Sequence, residues 1–181
     1  MPPEEELDLV DERDRVTGVA SLRDCLNRGL LHRAVAVLVI RSSGRILLQR
    51  RSRKDAWHPG LWTLSCTGHV KKGETYREAA VRELEEELGL KSPLKASVKL
   101  LLPAFTDGGL VEREWVSMFI SKSDQPTTID TVELESVKEV SVLQLRTMLT
   151  GPRLTPDAKI LVRALLNSSS GGFGPWKRRR A

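Results

Sequence analysis

Gly68, Glu74, Arg82, Glu83, Glu86, Glu87 and Gly89 are the residues of this chain whose types and spacing can do chemistry. The run Gly68-His69-Val70-Lys71-Lys72-Gly73-Glu74 precedes Arg82-Glu83-Leu84-Glu85-Glu86-Glu87-Leu88-Gly89-Leu90. On a helix, Glu83, Glu86 and Glu87 fall within one sector of roughly 100°. Ala80, Val81, Leu84 and Leu88 form a second sector, about 120° round from the first, that is expected to bury against a sheet. Glu78 and Glu85 point elsewhere, to solvent. Three carboxylates so close repel one another unless a cation sits among them. Hard oxygen donors suit Mg2+ or Mn2+, which keep several waters and bridge to phosphate oxygens. The plain alternative is a solvated Glu-rich helix; Arg82 and the glycines from Gly68 to Gly73 argue against it.

The elements that must position these groups are legible nearby. Thr75-x-x-Glu78 reads as a capping box, so a helix starts near Tyr76. Gly89 stands where a left-handed residue closes a helix, and Pro93 limits continuation. Leu7–Val10 and Val16–Ser21 read as a hairpin. Arg33–Ile40 and Ile46–Arg50 are strands, and Leu61–Thr67 is extended. Further strands are expected near Ala96–Leu102, Glu114–Ser121 and Val137–Val142, and a helix over Val142–Leu149. Thr155-Pro156-Asp157 opens a last helix to Leu166. This order implies an α/β fold with a mixed sheet covered by helices.

The 181 residues are 40% hydrophobic and 29% charged, which suits one domain with a sizeable core. We divide the chain into an acidic N-terminal tail (1–6), a folded domain (7–166) and a flexible basic C-terminal tail (167–181). No apolar run approaches the ~20 residues of a membrane span, and the acidic start has no apolar core for a signal peptide. With two cysteines, the expectation is a cytoplasmic protein with reduced thiols. The net charge of +5 gathers at the Lys177–Arg180 end. Only 4% of residues are aromatic, so no stacking platform for nucleic acid is expected. No membrane partner is expected, and a homodimer is left open.

The spacing from Gly68 to Leu90 resembles the Nudix box, Gly-x5-Glu-x7-Arg-Glu-U-x-Glu-Glu-x-Gly-U with U a bulky aliphatic. Seven exact residues at roughly one chance in 15 each give about one in 10^8 per starting position, so chance is not the explanation. The resemblance implies an α/β/α sandwich with the box as loop–helix–loop, and makes residues 7–166 a Nudix hydrolase domain. It further implies that Glu83, Glu86, Glu87 and the Gly68 carbonyl bind Mg2+ or Mn2+, oriented by Arg82 and Glu74. Metal-assisted attack of water on a small-molecule diphosphate would follow. The base would be one of these glutamates or a later one, with Glu114 the foremost extra base or ligand. Arg51 and Lys54 either grip the diphosphate or form a plain basic loop. Trp57 and Trp62 read as packing, and His58 as uninvolved.

Beyond the box, Leu31-His32-Arg33-Ala34, Gln49-Arg50-Arg51, Pro59-Gly60-Leu61-Trp62 and Glu112-Arg113-Glu114 are similar to the isopentenyl-diphosphate isomerase branch of this fold. That branch implies a metal site at His32, His69, Glu112 and Glu114. Cys25 stands where a further histidine is expected; a thiolate there would favour Zn2+. The isomerase chemistry departs at three places. Thr67 takes the position of the catalytic cysteine, no tyrosine precedes the Glu-x-Glu strand, and Asp157 replaces a tryptophan. Cys66, one residue away, should face the opposite side. The expectation is therefore a divalent-metal-dependent diphosphate hydrolase. An isomerase and a non-catalytic diphosphate-binding protein are the alternatives, and the leaving group stays open among nucleotide, isoprenoid, thiamine-related and sugar diphosphates.

Overall fold

The most apolar stretches take the middle of the fold. In the computed structural model, which describes residues 5–168, strands β3 (His32–Ile40) and β10 (Glu114–Lys122) lie side by side and parallel. Both are buried along nearly their whole length, as strands covered on two faces must be. The sheet order is β11 (Leu134–Val140), β4 (Ile46–Arg51), β3, β10 and β7 (Leu94–Leu101), antiparallel except for the central pair.

Strands β3 and β4 pair only at Ile40↔Ile46 and then splay. Two short strands fill the gap: β5 (Trp62–Thr63) pairs with β4, and β6 (Cys66–His69) with β3. Ser65 ties the splay together. Its buried hydroxyl accepts from Val39 N at 2.7 Å and donates to the Leu47 carbonyl at 2.5 Å, satisfying two backbone groups that the parted strands cannot give each other.

Helix α2 (Tyr76–Leu88) covers one face, packing Leu84 and Leu88 on Val35, Val37, Leu47 and Phe119. Helices α3 (Val142–Met148) and α4 (Pro156–Asn167) cover the other, over Leu38, Leu48, Met118 and Ile120. The architecture is the expected α/β/α sandwich with a mixed sheet. The capping box of α2 is present, and Gly89 ends the helix at φ 64°, a left-handed conformation that glycine adopts without a Cβ penalty.

Val81 departs from expectation at 48% exposure. The buried arc of α2 runs from Ala79 through Glu83, Glu87, Ala80 and Leu84 to Leu88. It is centred nearer the carboxylates than apolar patterning alone indicates, which leaves Val81 at its margin. Helix α1 (Leu22–Arg28) and the hairpin of β8 (Phe105–Asp107) and β9 (Leu110–Glu112) were not expected. Strand β11 starts three residues earlier than its pattern suggests. The N-terminal hairpin forms as β1 (Glu6–Val10) and β2 (Val16–Ser21). Glu6 thus belongs to a strand, and Glu5 pairs with Lys71 at 2.9 Å, so neither behaves as tail. The basic tail falls almost wholly outside the described residues; of its span only Asn167, which ends α4, and Ser168, its C-cap, are described.

Candidate active site

Strand register assembles the first group of ligands. In the parallel β3–β10 pair Glu114 stands opposite His32, and in the β3–β6 pair His69 stands opposite Ala34. Three residues distant in sequence therefore meet at one end of the sheet. Glu114 Oε1 lies 3.5 Å from the Nε2 atoms of both His32 and His69, and Glu112 Oε1 lies 3.9 Å from His69 Nε2. The donor atoms of His32, His69 and Glu114 all fall within 4.8 Å of one another.

These separations are long for direct hydrogen bonds. His32 is fully buried; its Nδ1 sits 2.9 Å from the Leu30 carbonyl, and its Nε2 has no hydrogen-bond partner. With Nδ1–H donated to a carbonyl, release of the Nε2 proton exposes the lone pair by which imidazole binds metal. The donor set fits a divalent ion. Burial alone opposes charging His32, but the side chains of Cys25 and Glu114 outweigh it and raise its pKa to about 10. Cys25, itself buried, thus touches His32 without joining the convergent donor set.

The box supplies the second group. Arg82 holds Glu74 in a two-pronged pair at 2.9 Å each, donates to the His69 carbonyl at 3.0 Å, and reaches Glu83 at 2.5 Å and Glu86 at 3.2 Å. That guanidinium fixes the loop ahead of α2 to the carboxylate-bearing turn. It holds the Glu74 carboxyl below its ordinary pKa. Glu83 and Glu87 are buried, and Glu87 accepts from Thr67 N at 3.1 Å. Burial pushes the Glu83 pKa up to about 7 and raises that of Glu87 well above its ordinary value, with Glu83 repelling it. Gly68 makes this seating possible, since a Cβ there would run into the Glu83 carboxyl.

One cavity of about 150 Å³ joins the two groups, lined by Gly68, Glu83 and Glu87 on one side and by His69, Glu112 and Glu114 on another. Arg51 also lines it, its Nε bonded to the Trp57 carbonyl at 2.8 Å and its other end to Asp55 at 2.7 Å. Lys54 is exposed and lies outside the cavity, and so does Glu86. The three box carboxylates therefore do not present one face: two point inward and one to solvent. Trp57, read as packing, lines the cavity. Asp55, Glu133, Gln49 and Asp157 line it too and were not singled out as ligands or contacts. Glu133 arrives through the pairing of Leu134 with Arg51, a long-range contact that leaves no local signature. Burial raises the pKa values of Glu112, Glu133 and Asp157 as well. Burial opposes the ionisation of Glu114 too, yet His32, His69 and Arg51 hold its pKa below the usual value.

Cys66 is fully buried on the α2 side among apolar residues and does not line the cavity, whereas Thr67 does. Burial, then the Glu87 and Glu83 charges, push its thiol pKa well up.

The NUDIX domain family model matches residues 30–164. An isopentenyl-diphosphate Delta-isomerase 2 of Photorhabdus laumondii is 37% identical over 146 residues, 81% of this chain and 82% of that protein. An uncharacterized Nudix hydrolase of Pseudomonas aeruginosa is 34% identical over 129 residues, 71% of this chain and 74% of that one. Among solved structures, a Deinococcus radiodurans protein superposes with a TM-score of 0.70 at 25% identity, covering 88% of this chain and 98% of its own.

Proposed function

The chain belongs to the Nudix family, and from that premise we propose that it hydrolyses a diphosphate linkage in a small organic or nucleoside diphosphate derivative with Mg2+ or Mn2+. The carrying observation is that two box carboxylates, Glu83 and Glu87, share a cavity with the His69–Glu112–Glu114 group, and that no thiol lines it. Members of the family generally act on small molecules and use divalent metals. Here Glu83, Glu86, Glu87 and the Gly68 carbonyl would hold the harder ion, with Glu86 turning inward. His32, His69 and Glu114, with Glu112 beside them, would hold one that accepts imidazole, such as Mn2+. Bound ions supply charge neutralisation on the phosphoryl oxygens and a water of lowered pKa.

The chain's own residues do the rest. Arg51 offers a guanidinium inside the cavity to the diphosphate, and Arg82 fixes the box carboxylates. A carboxylate among Glu83, Glu87 and Glu114 accepts the proton of the attacking water as its oxygen bonds to phosphorus and the bridging P–O bond breaks.

The isomerase names among the relatives favour a second reading, isomerisation of isopentenyl diphosphate. Three residues speak against it. Thr67 faces the cavity where a thiol is needed, and Asp157 lines it where a sheltering tryptophan is needed. Tyr76 sits at the start of α2 beside Arg33 and Lys99, away from the cavity. No helix among the described residues is long and apolar enough to cross a membrane, and a cytoplasmic location remains part of this reading.

The test is phosphate release from a panel of organic and nucleoside diphosphates. Release should require Mg2+ or Mn2+, and should fall on the order of 10^3-fold in Glu86→Gln and Glu87→Gln with unchanged circular dichroism. Full activity in EDTA, or in both variants, would exclude the assigned roles.

A further inference from the structure

The cavity has a polar strip that neither ligand group uses. Gln49 is 1% exposed and lines the cavity. Its Nε2 reaches Thr67 Oγ1 at 3.4 Å, while its Oε1 has no hydrogen-bond partner. Across the β4–β5 pair Gln49 stands opposite Thr63, whose hydroxyl accepts from Thr155 Oγ1 at 3.2 Å. Thr155 also offsets part of the rise that burial imposes on the Asp157 carboxyl, and Thr67, Thr155 and Asp157 all line the same cavity. The tie to Thr63 explains why the Thr155 hydroxyl does not cap α4, the helix it precedes.

Buried polar groups are almost always paired, because an unpaired one forfeits its bonds to water with nothing in return. A buried amide with one end free, in a cavity that a carboxyl also lines, suits a site whose missing partner is a ligand. A hydrocarbon placed there would leave the Gln49 Oε1 desolvated and unpaired, whereas a group carrying N–H or O–H would complete the strip.

We propose that the Gln49–Thr67–Asp157 strip receives the organic group of the diphosphate substrate, and that this group bears an amide, amine or hydroxyl instead of being a hydrocarbon. The inference deepens the diphosphate reading above and rests on it. With about 150 Å³ shared between this group and the carboxylates, the part that enters is small. Gln49 and Thr67 act as specificity residues; the reacting phosphorus lies with the box.

The experiment compares two methylene-bridged diphosphonates matched in size, one carrying a 2-carbamoylethyl group and the other a 3-methylbutyl group. Their binding to the full chain in Mg2+ is measured by calorimetry. The carbamoyl analogue should bind roughly 10- to 100-fold tighter. Gln49→Leu should abolish that preference, and Thr67→Val, nearly isosteric, should reduce it even if the first variant fails to fold. Equal affinities, tighter binding of the hydrocarbon, no binding of either, or a preference untouched by both variants would overturn the proposal. Phosphate release from the matching diphosphate esters is followed in parallel. A binding preference without release would count against hydrolysis while leaving the strip intact.

Discussion

At the scale of single residues, the site depends on how Gly68 and Glu83 share space. Glu83 is buried against the backbone of β6, and a Cβ on Gly68 would occupy the position of its carboxyl. Gly68→Ala should therefore leave the sheet formed but displace the carboxylate. Displacement of about 1 Å in a catalytic group is worth on the order of 10^2-fold in rate. The check is kcat for phosphate release beside the unfolding midpoint; unchanged kcat would mean that Glu83 has no role where it sits. Residue types and spacing alone were enough to single out Glu83, Glu87, Arg82 and Glu74, because a box at fixed intervals on one helix is a local pattern. Glu86 and Lys54 show the limit of that reasoning. Both have suitable chemistry, yet both side chains lie outside the cavity, since helix rotation and loop path are decided by packing.

At the scale of elements, the splay of β3 and β4 makes the cavity, and Ser65 holds the splay at its closed end. Removing its hydroxyl leaves Val39 N and the Leu47 carbonyl without their partner. Ser65→Ala should cost about 1–3 kcal/mol, read from chemical denaturation, and should loosen the site that β5 and β6 frame. A change below about 0.5 kcal/mol would show that the splay is held otherwise. The strands and helices with clear periodicity or caps were legible in sequence: β3, β4, α2, α3 and α4. Helix α1 was not, being a short helix that follows a strand without a break, and neither was the β8–β9 hairpin, whose strands are three residues each. The His32–Glu114 meeting follows from a parallel register between strands far apart in the chain. Only resemblance to a known family could anticipate it, because periodicity carries no register.

At the scale of the whole molecule, the fold carries a concentration of buried acid that an ion would relieve. Glu83 has a pKa of about 7 in the folded protein, against 4.5 for the free side chain, because burial disfavours its charge. The folded state then holds that proton more tightly than the unfolded state. Metal-free stability should be highest toward pH 5 and fall as pH rises through 7, by about 2–3 kcal/mol from this group alone. His32, raised from 6.5 to about 10, adds to the decline above neutrality. Millimolar Mn2+ or Mg2+ should flatten the decline by taking the place of the protons. Thermal unfolding in EDTA and in metal across pH 5 to 8 checks this; stability that rises with pH in EDTA would contradict it. The identity of the reaction is settled most directly on a single preparation with Mg2+ or Mn2+, given isopentenyl diphosphate and the diphosphate panel. Inorganic phosphate and dimethylallyl diphosphate are followed together. The account predicts metal-dependent phosphate release from at least one diphosphate and no dimethylallyl product; rapid isomer conversion with no phosphate from any substrate would contradict it.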